Sequence, residues 1–272
     1  MDIENKNKGI TDTLETTNSL ITPSQKCMKE LTQANFSAII LAAGDFPSHP
    51  LPLHLLQKAQ NLVVCDGALS GLIELGIEPT AVVGDGDSLT EDLKDRYSSI
   101  YHHISEQVYN DLTKATLFAR SHMKMDGPTH TRPQFCYLGT TGKREDHTIG
   151  NISLMLYYYR QLGIQPTMIT DYGWFVPATG TNSFTSFPGQ QVSVFNSNCK
   201  KLASNGLKWD IYPFTELWQG TLNEALDTSF TIKADGDYLI YRTWEQGKGS
   251  LPKPLLYLCS ERKRVEILFK LD

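Results

Sequence analysis

The strongest limit on what this chain can fold into is a series of short apolar runs, each stopping at glycine or aspartate. They lie at Ser37–Gly44, Asn61–Gly67, Thr80–Asp85, Gln134–Gly139 and Pro166–Asp171. A strand with one wet face alternates apolar and polar residues, whereas a continuous apolar run belongs to a strand covered on both faces, as in a parallel sheet. Between the runs, Leu53–Gln60, Ala68–Leu75, Leu89–Tyr97, Asn110–Met123 and Asp146–Leu162 carry helical spacing. Strand and helix in alternation imply right-handed βαβ units. Ligands of such sheets bind beyond the carboxyl ends of the strands. The loops at Asp66-Gly67, Asp85–Ser88 and Gly139–Asp146 all sit at such ends, so three separated stretches are expected to share one crevice.

Past Tyr172 the helical period disappears. Short segments rich in β-branched and aromatic residues follow, at Ser183–Phe187, Gln191–Asn196, Thr228–Ala234, Gly236–Thr243, Leu255–Ser260 and Val265–Leu271, with residues 247–254 as a loop. They predict an all-β second domain. Residues 1–35 form a polar stretch without aromatic residues before Phe36, with too little apolar surface to offset ordering entropy; it reads as a mobile tail holding a short helix near Gln25–Gln33. The expected organisation is a tail at 1–35, an α/β domain at 36–173 and a β domain at 174–272.

Charge and cysteine usage narrow the function. With 25 basic against 30 acidic residues the net charge is −5, which offers no general attraction to nucleic acid or an anionic membrane. Cys27, Cys65, Cys136, Cys199 and Cys259 are odd in number and form no Cys-x-x-Cys pair, arguing against a disulfide framework or a zinc site and for a reducing compartment. No apolar run approaches the roughly 20 residues that cross a bilayer, and no signal-peptide core opens the chain. A cytoplasmic protein is expected.

Two carboxylates stand out in Ala81-Val82-Val83-Gly84-Asp85-Gly86-Asp87-Ser88. In extended chain Asp85 and Asp87 point the same way, suited to a hard cation such as Mg²⁺ that shares its shell with substrate phosphates, although a hydrophilic turn has the same composition. Asn110-Asp111-Leu112-Thr113-Lys114 opens a helix with Asn110 at the N-cap, and Asp111 and Lys114 share a face. They can serve a cation and a phosphate at the helix N-terminus, or form an ordinary surface ion pair. Glu106 and Gln107 add a carboxylate and an amide to the same edge. Gly139-Thr140-Thr141-Gly142-Lys143-Arg144-Glu145-Asp146-His147 follows a strand and opens the longest helix. Its glycines allow close approach to a phosphate and Lys143 and Arg144 bring charge, yet the spacing fits neither common phosphate-loop pattern, and a solvated turn remains open. The helix after it is apolar over most of its circumference, fitting a central or an interface position. His102-His103 lacks metal-ligand spacing and is read as structural or solvated.

Taken together, Cys65-Asp66-Gly67-Ala68, Gly84-Asp85-Gly86-Asp87-Ser88, Glu106 through Asp111 with Lys114, and Gly139 through His147 to Asn151 resemble the ordered motifs of the thiamine pyrophosphokinases. Asn205-Gly206-Leu207-Lys208-Trp209 and Gly220-Thr221-Leu222-Asn223-Glu224 resemble that family's thiamine-side motifs. The likeness runs over residues 36–272. It implies a Rossmann-like parallel α/β catalytic domain, a C-terminal β-sandwich, and a homodimer with active sites shared between subunits. It also implies ATP and Mg²⁺, with the β,γ-diphosphate of ATP passing to the thiamine hydroxyl to give thiamine diphosphate and AMP. By position, Asp85, Asp87 and Asp111 would hold Mg²⁺ with Asp66 and Gly67 in support, while Gln107, Lys114, Arg144 and Asp146 handle the nucleotide. Ser88, His147 and Asn151 belong to the same motifs. Trp209 would stack on the pyrimidine ring of thiamine, framed by Thr221 and Asn223. The chain departs from the pattern at Glu106 for Asp, Asn110 for Thr, Leu222 for Ser, and at Thr141 and Lys143, where glycine or arginine is common. A diphosphokinase for another hydroxymethyl heterocycle such as a pterin, or a non-catalytic thiamine or nucleotide sensor, are the alternatives; the retained Asp85, Asp87 and Asp111 speak against the sensor.

Overall fold

The computed structural model describes residues 23–123 and 131–246. The strands expected at 255–260 and 265–271, the loop at 247–254, most of the tail and Cys259 lie outside the described residues. The chain divides into two compact units, Met1–Pro177 and Ala178–Asp272.

The first unit begins with α1 (Pro23–Thr32) and continues β1 (Ala38–Leu41), α2 (Pro50–Lys58), β2 (Leu62–Cys65), α3 (Leu69–Glu74), β3 (Ala81–Gly84), α4 (Glu91–Arg96) and β4 (Tyr101–His103). It then runs through α5 (Asp111–His122), β5 (Gln134–Leu138), α6 (Glu145–Gln161), β6 (Gln165–Ile169) and into β7 (Gly173–Thr179). The strands lie in the order β7-β6-β5-β1-β2-β3-β4, parallel throughout except that β7 returns antiparallel to β6. Strands β1, β2 and β3 are buried along their whole length, which is why their sequence shows no alternation. From β1 the chain steps outward to β2, β3 and β4, then crosses back to place β5 on the other side of β1. The order therefore reverses between β1 and β5, and the crevice of a doubly wound sheet opens at such a reversal.

In this unit β4 and β7 have no counterpart among the expected strands, and α6 does not take the central position that was one of its two expected places. Strand β4 is a short edge strand paired to β3 through Val83↔His102; Tyr-His-His carries no buried-run signal because an edge strand is only half covered. Helix α6 buries one face, through Met155, Tyr158 and Tyr159, while Ile149 stays 65% exposed, so within one chain it is neither central nor covered all round. Among the described residues no helix is long and apolar enough to cross a membrane.

The second unit is antiparallel. Its strands are β8 (Asn182–Thr185), β9 (Gln190–Asn196), β10 (Leu202–Asn205), β11 (Asn223–Glu224), β12 (Ser229–Ala234) and β13 (Asp237–Gln246). Strand β9 lies between β11 and β13, and β12 lies between β10 and β8. Alternate residues turn inward: Val192, Val194, Tyr238 and Ile240 from one sheet meet Leu202, Phe230 and Ile232 from the other in one core. That is the expected β-sandwich. Strands β10 and β11 escaped the sequence reading because four and two residues, mostly polar, are too few to show a period of two.

Candidate active site

A cavity of about 660 Å³ opens in the first unit where the sheet order reverses, walled by the loops after β1, β3 and β5 and by the start of α5. Backbone bonds lace two of those loops. Gly44 N donates to Gly139 O at 2.7 Å and Asp45 N to Thr141 O at 2.8 Å. The approach is so close that a β-carbon on Gly44 would lie 2.4 Å from Thr141 O. Glycine is required there because another chain segment fills the space.

Asp85, Asp111 and Lys114 meet in the cavity wall. Lys114 Nζ lies 3.1 Å from Asp111 Oδ1 and 3.9 Å from Asp85 Oδ2, and the residue is 4% exposed. Helix α5 delivers two of the three: Asn110 caps it by accepting from Thr113 N at 3.0 Å, which sets Asp111 at the first helical position and Lys114 three residues on, on the same face. Burial pulls the Lys114 pKa down, but the Asp111 hydrogen bond and the charges of Asp111, Asp85 and Glu106 outweigh it and hold the ammonium above its ordinary value. Asp85 is held below the usual carboxylate range, first by the Asp87 amide; burial opposes, and the Gln107 amide at 3.4 Å and Lys114 then add to the lowering. It is an anion at neutral pH.

Asp66 sits beneath this group and is spent on backbone, accepting from Gly67 N at 2.6 Å and Gly86 N at 2.9 Å. It ties the loop after β2 to the loop after β3, and its burial raises its pKa against those two bonds. Asp87 is exposed and, like Ser88, lies outside the cavity wall; its amide, 3.3 Å from Asp85 Oδ1, is its link to the site. Glu106 turns back on its own loop, accepting from Val108 N and Tyr109 N, and so shapes the segment that carries Gln107. Among the described residues no three His, Cys, Asp or Glu are grouped to hold a metal ion. Two carboxylates facing one cavity fit a Mg²⁺ that takes its remaining ligands from water and phosphate oxygens, the usual arrangement for that ion.

The loop after β5 supplies the opposite wall. Arg144 forks onto Asp146, Nε to Oδ1 at 3.0 Å, and both side chains are largely exposed. Asn151 of α6 donates to Thr140 O at 2.8 Å and accepts from Asn110 Nδ2 at 3.2 Å, joining the loop after β5 to the cap of α5. His147 also lines the cavity. Thr140 lines it too, is 2% exposed, and its Oγ1 has no hydrogen-bond partner among the described residues. The sequence marked Thr140 only as a member of the Gly139–His147 loop, because an unmet hydroxyl becomes visible only when its neighbours are placed.

The second unit places the residues of the thiamine-side motifs together. Asn223 is 2% exposed and its amide turns inward: Oδ1 accepts from Trp209 N at 3.2 Å and Glu224 N at 2.8 Å, and Nδ2 donates to Trp209 O at 2.8 Å. It clamps the backbone of Trp209. Lys208 Nζ lies 4.8 Å from the Trp209 ring centroid and 3.2 Å from Glu224 Oε2, so the ring already carries a cation against one face. Thr221 Oγ1 donates to Trp218 O at 2.7 Å, and Leu222, 52% exposed, adopts φ 64°, a left-handed conformation unusual for leucine.

Comparison with known proteins agrees with both units. Residues 53–165 match the family profile "Thiamin pyrophosphokinase, catalytic domain" and residues 173–241 match "Thiamin pyrophosphokinase, substrate-binding domain". No curated protein sequence matches the chain. Among solved structures, the thiamine pyrophosphokinase of Bacillus subtilis is 19% identical with a TM-score of 0.61, over 76% of this chain and 98% of that one. The Candida albicans enzyme is 19% identical with a TM-score of 0.62, over 76% and 89%. The yeast enzyme is 15% identical with a TM-score of 0.63, over 79% and 89%. At these identities the structures attest the fold, and the two profiles, adjacent and in order over most of the described residues, attest the lineage. The chain belongs to the thiamin pyrophosphokinase family of transferases.

Proposed function

We propose that the chain transfers the β,γ-diphosphate of ATP to the hydroxyl of thiamine, yielding thiamine diphosphate and AMP. The observation that carries this reading is the buried Lys114 held between Asp85 and Asp111 in a cavity at the sheet reversal. Transfer of a phosphoryl group asks a protein mainly to position reactants and offset charge. Asp85 and Asp111 would hold Mg²⁺, with Asp87 beside them on the loop. Bound there, the ion would neutralise phosphate oxygens as charge shifts to the leaving group. Lys114 keeps the two carboxylates in place and presents its charge to the phosphates. Arg144 has a planar fork that can leave exposed Asp146 for a phosphate, and the Thr140 hydroxyl is a buried donor that supports an oxygen-rich ligand nearby. Gln107 steadies Asp85.

On the thiamine side, Trp209, set by the Asn223 clamp, is the ring that would stack on a cationic heteroaromatic substrate with Thr221 on the same motif; it is 8% exposed in the single chain, so the substrate would displace Lys208 from its face. The active form is a homodimer with sites shared between subunits. Support comes from apolar side chains left bare on one chain: Val108 at 87% and Ile149 at 65% in the first unit, and Leu217, Trp218, Leu222 and Leu226 in the second. The buried free thiols Cys65, Cys136 and Cys199 support work in a reducing compartment such as the cytoplasm.

The test is AMP release from ATP and Mg²⁺ with thiamine as acceptor and a hydroxymethyl pterin as control. AMP and thiamine diphosphate with thiamine alone are expected, and Asp85→Asn or Asp111→Asn should lower kcat by about 10²-fold or more. AMP release with neither acceptor would overturn the reading, and release with the pterin alone would move the acceptor class.

A further inference from the structure

Lys143 stands at φ 57°, in the left-handed region where a β-carbon is disfavoured and glycine is at home. It follows Gly142, itself at φ 82°, in the loop after β5. A side chain retained against its backbone preference at the wall of a ligand cavity calls for a reason. Its position supplies one. Lys143 lines the cavity, and its Nζ reaches across to the loop after β1, donating to Ala43 O at 2.8 Å.

The charges around it sharpen the argument. Three lysines or arginines line the cavity: Lys114, Lys143 and Arg144. Lys114 is paired to Asp111 and Asp85, and Arg144 to Asp146. Among the described residues Lys143 has no carboxylate partner, and its ammonium rests on a neutral carbonyl with two of its three protons left to donate. A carbonyl dipole is a weak hold on a full charge compared with a phosphate oxygen.

We propose that Lys143 is a binding residue for the polyphosphate of the donor nucleotide, released from Ala43 O when that anion enters, and that the chain keeps a strained backbone there for the sake of this charge. The proposal rests on the reading of the cavity as an ATP site. It yields an uncommon pairing of outcomes, because glycine should improve the backbone while removing the contact.

The experiment uses the full chain and three variants, with inorganic triphosphate as the probe in titration calorimetry, alongside KM values and thermal melts. Lys143→Gly removes both strain and charge, Lys143→Met removes charge and keeps the strain, and Lys143→Arg keeps the charge. The expected result is triphosphate affinity and ATP KM worsened about tenfold in the glycine and methionine variants. The arginine variant should stay near wild type and thiamine KM should be unchanged in all three. Lys143→Gly should melt at or above the wild type. If wild type binds triphosphate and the methionine variant binds it equally well, the role of Lys143 is overturned while the ATP reading stands. A glycine variant that melts below wild type overturns the strain argument, and a wild type that binds no triphosphate overturns both readings.

Discussion

Asp85 shows how three neighbours set the state of one side chain. The Asp87 amide, the Gln107 amide and the Lys114 ammonium all favour its charged form, against a burial effect that favours the neutral one. A carboxyl whose folded pKa lies below its unfolded value contributes stability that is present above the unfolded value and fades as pH falls through the folded one. Acid should therefore leave Asp85 ionised well below neutrality. Removing one support should show: Gln107→Ala is expected to move the acid limb of the kcat/KM profile to higher pH, read from rates between about pH 4 and 7, and an unmoved limb would mean that Gln107 does not tune this carboxylate. Asn223 makes the complementary case, a buried polar side chain that binds both the N–H and the carbonyl of Trp209 and also accepts from Glu224 N. On the proposed reading its part is to place the indole, and Asn223→Ala should raise the thiamine KM while leaving the ATP KM unchanged.

Among the elements, the loops decide the site. Gly44 and Asp45 bond to Gly139 and Thr141, and Asp171 at the end of β6 accepts from Ser48 N and His49 N at 3.0 Å each, anchoring the stretch that enters α2. The loop after β1 is thus held at both ends. Gly44→Ala would drive a methyl group into the Thr141 and Gly139 carbonyls, backbone atoms with no rotamer to relieve the contact. The expected cost is about 1–3 kcal/mol in denaturant unfolding, with a raised ATP KM because both cavity walls shift. Unchanged stability in that variant would show that the loops are not tightly laced. The alternation of buried runs and helices made β1, β2, β3, β5 and β6 legible in the sequence, since covered strands must be apolar throughout. The edge strand β4 was not, since half its surroundings are solvent and its residues answer to that.

For the whole molecule, the apolar residues left bare on a single chain are the basis of the proposed homodimer. Sedimentation at micromolar concentration should give a dimer, and Ile149→Asp, on the uncovered face of α6, should give a folded monomer with little turnover; a monomeric wild type would contradict the shared site. Which stretches gather at the cavity was readable from their order, because turns at the carboxyl ends of parallel strands meet where the sheet order reverses. The periods of 2 and 3.6 residues, which burial imposes locally, likewise announced a parallel α/β half and a β half. Distances between remote segments leave no trace in local pattern. That Asp85 and Asp111 share one ammonium while Asp87 stands outside, that Asn223 faces Trp209, and that Lys143 reaches Ala43 are consequences of where the strand order reverses and how the loops interlock, and these were settled by packing in three dimensions.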